Sequence, residues 1–225
     1  VNSPAPLNDE NLKVACRWLA EQDPDLARVL SRFGPPPLWP LEPGFATLIS
    51  IILEQQVSLA SAHAAFQRLE GLIHPVAPQA FLSLDDETLK AAGFSRQKTL
   101  YGRILARAVL DGALDLSGLS HLTDEQVFAA LTQVKGIGRW TVDVYLMRAL
   151  LRPDIWPAGD LALATAVQWI KGLDHLPVRA DLEALGRRYA PWRAVAARLF
   201  WHAYLSVPGR KARAEFSDWG LLQGN

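Results

Sequence analysis

The sequence predicts an all-α fold, on three observations. Apolar residues recur at helical spacing along the whole chain. No segment alternates apolar and polar residues between hairpin turns. Capping residues head several apolar runs, and Gly or Pro closes them. Leu12, Ala15, Cys16, Leu19 and Ala20 mark the first helix, after the polar start Asn8-Asp9-Glu10. Gly34-Pro35-Pro36-Pro37 breaks the pattern, as a linker or a stiff turn. Phe45–Leu53 and Ala60–Leu72 read as two helices flanking Glu54-Gln55-Gln56-Val57-Ser58. Asp85–Ala92 is a short helix ending at Gly93. Ser95 caps a longer one to about Leu110, closed by Asp111-Gly112. Thr123 and Gln126 form a capping-box pattern for Thr123–Leu131. Gly138–Leu150, Asp160–Ile170, Val178–Tyr189 and Pro191–Leu205 complete the set, with a basic turn at Gly209-Arg210-Lys211.

The chain has 225 residues, half of them apolar, enough for one domain or two lobes with a sizeable core. Its composition excludes a disordered, collagen-like or low-complexity chain. The single cysteine, Cys16, excludes an internal disulfide, a four-cysteine iron–sulfur cluster and a cysteine-based zinc within the chain. No apolar run is long enough to span a membrane. The first nine residues carry no signal-peptide pattern, so an intracellular location is expected, cytoplasmic in a bacterium or nuclear in a eukaryote.

Charge gives no overall reason for a nucleic-acid partner, because 23 basic residues balance 23 acidic ones. Two local clusters stand out. Arg187, Arg188, Arg193, Arg198, Arg210, Lys211 and Arg213 occur without an intervening acid, as do Arg96, Lys98, Arg103 and Arg107. Each fits either a solvated helix face or a phosphate-facing surface.

The chemistry concentrates in Leu131–Asp160. One helix ends near Leu131, Val134-Lys135-Gly136-Ile137-Gly138 turns, and a second helix begins. Two glycines two apart let backbone amides face outward at a helix start, which makes a small anion site without net positive charge. Helix–VKGIG–helix is the helix-hairpin-helix signature. Asp160 follows 22 residues after Gly138, in a loop with Trp156, Pro157 and Gly159. Read from its neighbours, Asp160 is an N-cap for Leu161-Ala162-Leu163. A capping carboxylate is also held rigidly, and such a group beside a sugar stabilises an oxocarbenium-like transition state. Both roles are compatible. Asp143, inside a helix, and Asp154, after Pro153, read as surface or structural groups.

These motifs resemble the helix-hairpin-helix DNA glycosylase superfamily, within it 3-methyladenine DNA glycosylase II and its yeast-type relatives. The resemblance covers roughly Leu38–Tyr204: LEQQVSLASA, AAGFSRQK, the hairpin VKGIGRW, WPAGDLAL and APWRAVAARLFWHAY, in that order. It implies a two-lobed fold with a cleft. One lobe spans residues 44–155, and the other joins 1–43 to 156–225.

The resemblance also assigns roles. Asp160 matches the catalytic aspartate, and Trp140 and Trp201 match aromatic positions of the flipped-base pocket. Val144 stands where some relatives have a pocket tyrosine. Gln56 falls at the wedge that fills the gap left by the extruded nucleotide, a Leu in some relatives. Gly136 and Gly138, with Lys135 and Arg139 beside them, fall on the DNA-binding hairpin. Backbone carbonyls of Thr132, Val134 and Ile137 match those holding a monovalent cation, sodium or potassium. Catalysis itself is expected to require no cofactor. Lyase-competent members carry a nucleophilic Lys where this chain has Trp140, so the implied enzyme is monofunctional.

The expected protein is therefore a monomeric glycosylase excising alkylated purines from duplex DNA. The alternatives are a non-catalytic DNA-binding or damage-sensing protein, and a glycosylase for an oxidised or deaminated base. Of the remaining tryptophans, Trp18, Trp39, Trp169, Trp192 and Trp219 are assigned to packing, and Trp156 stays open. His63 and His202 have no partner at metal spacing.

Overall fold

The computed structural model describes residues 5–207. Among the described residues there are twelve α-helices, one 3-10 turn and no strand. The basic turn at Gly209-Arg210-Lys211, with Arg213 and Trp219, lies outside them. The chain divides into two compact units, Pro40–Leu150 and, within the described residues, 5–39 with 151–207.

The first unit is organised around α3 (Phe45–Glu54), which buries seven of its ten residues. A helix apolar on all sides must be surrounded. Here α4 (Leu59–Leu72), α7 (Arg96–Leu110) and α9 (Arg139–Arg148) pack on it. Gly102 of α7 permits the close approach, since a Cβ there would lie 2.6 Å from Phe81 and 3.2 Å from Ile49. Phe81 belongs to α5 (Pro78–Ser83), which packs on α7, as does α6 (Asp86–Ala91). Ser95 caps α7, and Thr123 and Gln126 close the box at the start of α8 (Asp124–Thr132). Gly44 N–H, at the start of α3, donates to the buried Tyr145 hydroxyl of α9 at 3.1 Å.

The second unit joins two distant stretches of sequence. Its helices are α1 (Asp9–Gln22), α2 (Pro24–Phe33), α10 (Leu161–Ile170), α11 (Arg179–Arg187) and α12 (Arg193–Ser206). α12 buries eight of its fourteen residues, and α1, α2 and α10 pack on it. Leu7 N–H donates to the Leu151 carbonyl at 2.7 Å, where the two stretches meet.

Two helices escaped the sequence reading, α2 and α5. Each begins with Pro at its first helical turn. Proline punctuates a sequence as a breaker, yet its fixed φ and missing N–H suit the first turn, where the donor would be unpaired anyway.

Asp23 is the polar centre of the second unit. It is 2% exposed, ends α1 and caps α2 through Asp25 N–H. Lys171 Nζ reaches its oxygens at 2.5 and 2.6 Å, and the Tyr189 hydroxyl donates at 2.6 Å. Burial pushes this carboxyl up, but hydrogen bonds from Lys171 and Tyr189 and the Lys171 charge hold it below its ordinary value. A depressed folded-state pKa stabilises fully above the unfolded value, about 3.9, and the contribution is lost as pH falls through the folded value. Removing one partner of a buried pair costs roughly 3 kcal/mol. Lys171 keeps Asp25 at 2.8 Å, so Asp23→Ala orphans chiefly the Tyr189 hydroxyl and the α2 cap and should lose about 2–3 kcal/mol at pH 7. In denaturant titrations the gap between wild type and Asp23→Asn should narrow as pH drops below about 4.

Candidate active site and hairpin

In the first unit the hairpin is α8, a turn over residues 133–138, and α9. Val134 N–H donates to Leu131 at 3.1 Å, and Ile137 N–H donates to Val134 at 3.0 Å. The Val134 and Ile137 side chains are buried, while Lys135, Gly138 and Arg139 are exposed. Apolar residues thus root the turn and leave its outer edge to solvent.

The two hairpin glycines have different reasons to be glycine. Gly136 has φ +99°, and a Cβ there would lie 2.1 Å from the ring of Tyr101 on α7. Backbone conformation and space both exclude a side chain. Gly138 is the N-cap of α9 with extended backbone (φ −99°, ψ 179°), no side-chain cap and open space around it. The fold itself does not require glycine there. What the missing side chain provides is access to the positive end of α9.

Around the turn, the Arg139 guanidinium lies over the Phe128 ring at 5.1 Å and 3.5 Å from Asp143. Trp140 is half-buried, and Val144, one turn later on α9, is buried. Gln55, at the end of α3, donates from Nε2 to the Gly136 carbonyl and to Thr141 Oγ1, each at 3.0 Å. Lys98 Nζ donates to the Leu53 carbonyl at 2.7 Å. Gln56 follows at φ +58°, exposed, in the left-handed region that costs a non-glycine residue about 1–2 kcal/mol.

In the second unit the catalytic candidate is Asp160. It caps α10, accepting from Leu163 N–H at 2.7 Å through Oδ1. The same oxygen accepts from Trp201 Nε1 of α12 at 3.1 Å. The structure thus brings together two residues 41 apart that the sequence singled out. Asp160 is half-buried, and Leu161 beside it is 69% exposed. Trp156 proves to be scaffold. It is buried, donates from Nε1 to the Leu182 carbonyl at 2.8 Å, and packs on Tyr189 and Phe200. A Cβ on Gly186 of α11 would lie 2.5 Å from its ring. This packing fixes the loop that delivers Asp160.

The other carboxylates are engaged elsewhere. Asp154 takes a two-point ion pair from Arg193 at 2.7 and 2.9 Å. Asp143 is buried beside Arg139. His202 lies within hydrogen-bond distance of the Phe33 carbonyl, at 2.9 Å, and its ring meets Phe33 and Trp39 edge-on.

A family model described as HhH-GPD superfamily base excision DNA repair protein matches residues 49–191. The chain belongs to this superfamily. Among its relatives is the putative DNA-3-methyladenine glycosylase YfjP of Bacillus subtilis, 29% identical over 69% of this chain and 57% of that protein. DNA-3-methyladenine glycosylase 1 of Schizosaccharomyces pombe is 30% identical over 70% of this chain and 71% of its own length. The fission-yeast 3-methyladenine DNA glycosylase Mag1, solved in complex with abasic DNA, superposes with a TM-score of 0.79 at 27% identity. That superposition covers 84% of this chain and 96% of the other. The match spans a little over half of the Bacillus relative.

The HhH-GPD match contains the Gln55-Gln56 loop, the hairpin and Asp160, while Trp201 lies beyond it. The basic clusters of this HhH-GPD chain are only partly surface. Arg198 is 1% exposed and donates to the Leu38 and Ala194 carbonyls, and Arg193 pairs with Asp154. Arg103 binds Asp86 and the Leu84 carbonyl, and Lys98 caps α3. These four cations hold the fold together, a use that neither sequence reading of the clusters included. Gln55 was also missed as a site residue, because its partners lie 81 and 86 positions away.

The two glycines should separate in thermal melts. Gly136→Ala should cost roughly 2 kcal/mol or more, from strain and overlap with Tyr101. Gly138→Ala should cost about 1 kcal/mol or less, the ordinary penalty of Ala at an N-cap.

Proposed function

We propose that this chain is a monofunctional DNA glycosylase of the 3-methyladenine type, acting on duplex DNA in base excision repair. The observation that carries the reading is Asp160, a carboxylate fixed by a backbone amide and by the Trp201 indole N–H. The names of its relatives support the substrate class.

Alkylation at a ring nitrogen makes a purine cationic, so the C1′–N bond breaks with the base leaving as a neutral molecule. The sugar is left with the positive charge. Asp160 offers a fixed negative charge to that developing cation. Water adds to C1′ and releases its proton, leaving an abasic site. The bond from Trp201 holds the carboxylate in orientation, so little reorganisation is needed as charge develops. Trp201 turns its N–H edge to that carboxylate, and an indole face is suited to a cationic base.

A lyase step needs an amine that can form a Schiff base with the sugar. Trp140 stands at the position where lyase-competent members carry Lys, and Lys135 is an exposed residue of the turn. Hydrolysis is therefore the whole reaction, and water is the only co-reactant.

On the hairpin side, the uncapped start of α9 behind Gly138 receives a backbone phosphate, with Lys135 and Arg139 at the exposed edge. A carbonyl has two lone pairs, and that of Val134 uses one on Ile137 N–H. With the carbonyls of Thr132 and Ile137 it would hold a sodium or potassium ion, whose charge would add to the attraction for phosphate. The protein acts where the genome is, in bacterial cytoplasm or a eukaryotic nucleus.

The test is base release from methylated duplex DNA, with and without hot alkali. Wild type should give abasic sites that break only after alkali. Asp160→Asn keeps an oxygen that can accept from Leu163 and Trp201, so it should fold and bind DNA. It should excise roughly 100-fold more slowly or worse. Gly138→Ala should bind duplex more weakly while remaining folded. Full activity of Asp160→Asn would remove the mechanism. No release from a broad lesion panel, with DNA binding intact, would establish a non-catalytic DNA-binding protein instead.

A further inference from the structure

Gln55 has two carboxamide hydrogens, and both are committed to the hairpin. One goes to the Gly136 carbonyl and the other to Thr141 Oγ1, each at 3.0 Å. The two acceptors bracket the corner where the turn becomes α9. Because a peptide is planar, holding the Gly136 carbonyl also holds the Ile137 N–H, which donates to Val134 at 3.0 Å. The Tyr101 ring lies so close that a Cβ on Gly136 would fall 2.1 Å from it. The turn is therefore gripped at one residue by a ring and an amide.

Gln55 is also the C-cap of α3 and the last residue before a solvent-facing tip. Gln56 reverses the chain at φ +58°, and Val57 and Leu59 are 46% and 57% exposed. Val57 on the reversal and Leu59 at the first position of α4 thus leave much of their apolar surface in solvent. Lys98 fixes the near end of that reversal at the Leu53 carbonyl, and Ser58 caps α4 at the far end. The tip is thus presented from a rigid base, and Gln55 connects that base to the hairpin.

We propose that Gln55 is a positioning residue that makes the Gln56 tip and the hairpin one mechanical unit. Contact of the hairpin with a phosphate then sets where the tip meets the duplex, and the tip's fit reports back to the hairpin. This deepens the glycosylase reading and rests on it for any effect on excision. A measurement on DNA binding keeps the two separable.

The experiment is a double-mutant cycle read by fluorescence anisotropy. The probes are a duplex carrying a tetrahydrofuran abasic analogue and the same duplex undamaged. Met replaces the Gln55 carboxamide with a chain of similar length and no donor. We expect Gln56→Ala to lower the preference for the abasic analogue about tenfold in the wild-type background, and less than twofold once Gln55 is Met. Gln55→Met alone should lower the preference by a similar factor while the protein stays folded. Thr141→Val reaches the same tie from α9 and should also blunt the Gln56→Ala effect, which covers the case where Gln55→Met folds poorly. Effects of Gln55 and Gln56 that simply multiply would overturn the proposal. So would an unchanged preference in Gln55→Met. Wild type that shows the coupling but releases no base would defeat the glycosylase reading and leave the tie standing.

Discussion

α10 is held by a carboxylate at each end, and this arrangement organises the second unit. At its start Asp160 takes Leu163 N–H, and at its close Lys171 reaches Asp23. Both contacts have the sign that the helix dipole favours, negative at the N-terminus and positive at the C-terminus. A single helix therefore fixes Asp160 relative to the buried Asp23–Tyr189 centre. The candidate catalytic carboxylate needs no strained backbone to hold it. Its position follows from capping, which the fold would want in any case. Trp201 adds a side-chain donor from α12, the most buried helix of the unit, so the orientation of the carboxylate is tied to that core.

The first unit meets a different requirement. A turn proposed to receive a phosphate must be held in shape by the protein beneath it. Val134 and Ile137 root the turn, Tyr101 backs Gly136, and Gln55 holds its carbonyl. Gly138 alone is left open, at the point of access. The sequence treats the two glycines alike. The structure separates a glycine required by packing from one required only by approach.

What was legible in the sequence was local. The Thr123–Gln126 box, the Ser95 cap, the helix-hairpin-helix corner and the Asp160 cap all involve residues within a few positions of one another. Asp160 could be singled out because its cap position, loop and distance from the hairpin coincide in one short stretch. Illegible features depended on distant partners. Trp156 could not be assigned until its contacts with Leu182, Tyr189 and Phe200 were known. The basic clusters misled because charge density in a sequence carries no information about direction. Arg198 points into the core, and Lys98 points at the end of another helix. α2 and α5 were hidden by a local signal with two meanings, since Pro both ends helices and starts them.

The zero net charge acquires a meaning from this. Several of the cations that could have served DNA are engaged within the chain, Arg198 and Lys171 in its interior and Arg103 and Arg193 in ion pairs nearer the surface. On the proposed reading, such a chain would grip a backbone through peptide N–H groups at a helix start, supplemented by the exposed cations Lys135 and Arg139 near the turn. Neutral donors require close, directed contact, whereas a field of lysines attracts any polyanion at a distance. On that reading, affinity for undamaged duplex would be modest, and discrimination would fall to geometry: whether the hairpin, the Gln56 tip and the base meet the duplex together. An enzyme that must leave most of the DNA it touches is served by that division, because weak general attraction allows release and a rigid local site allows recognition.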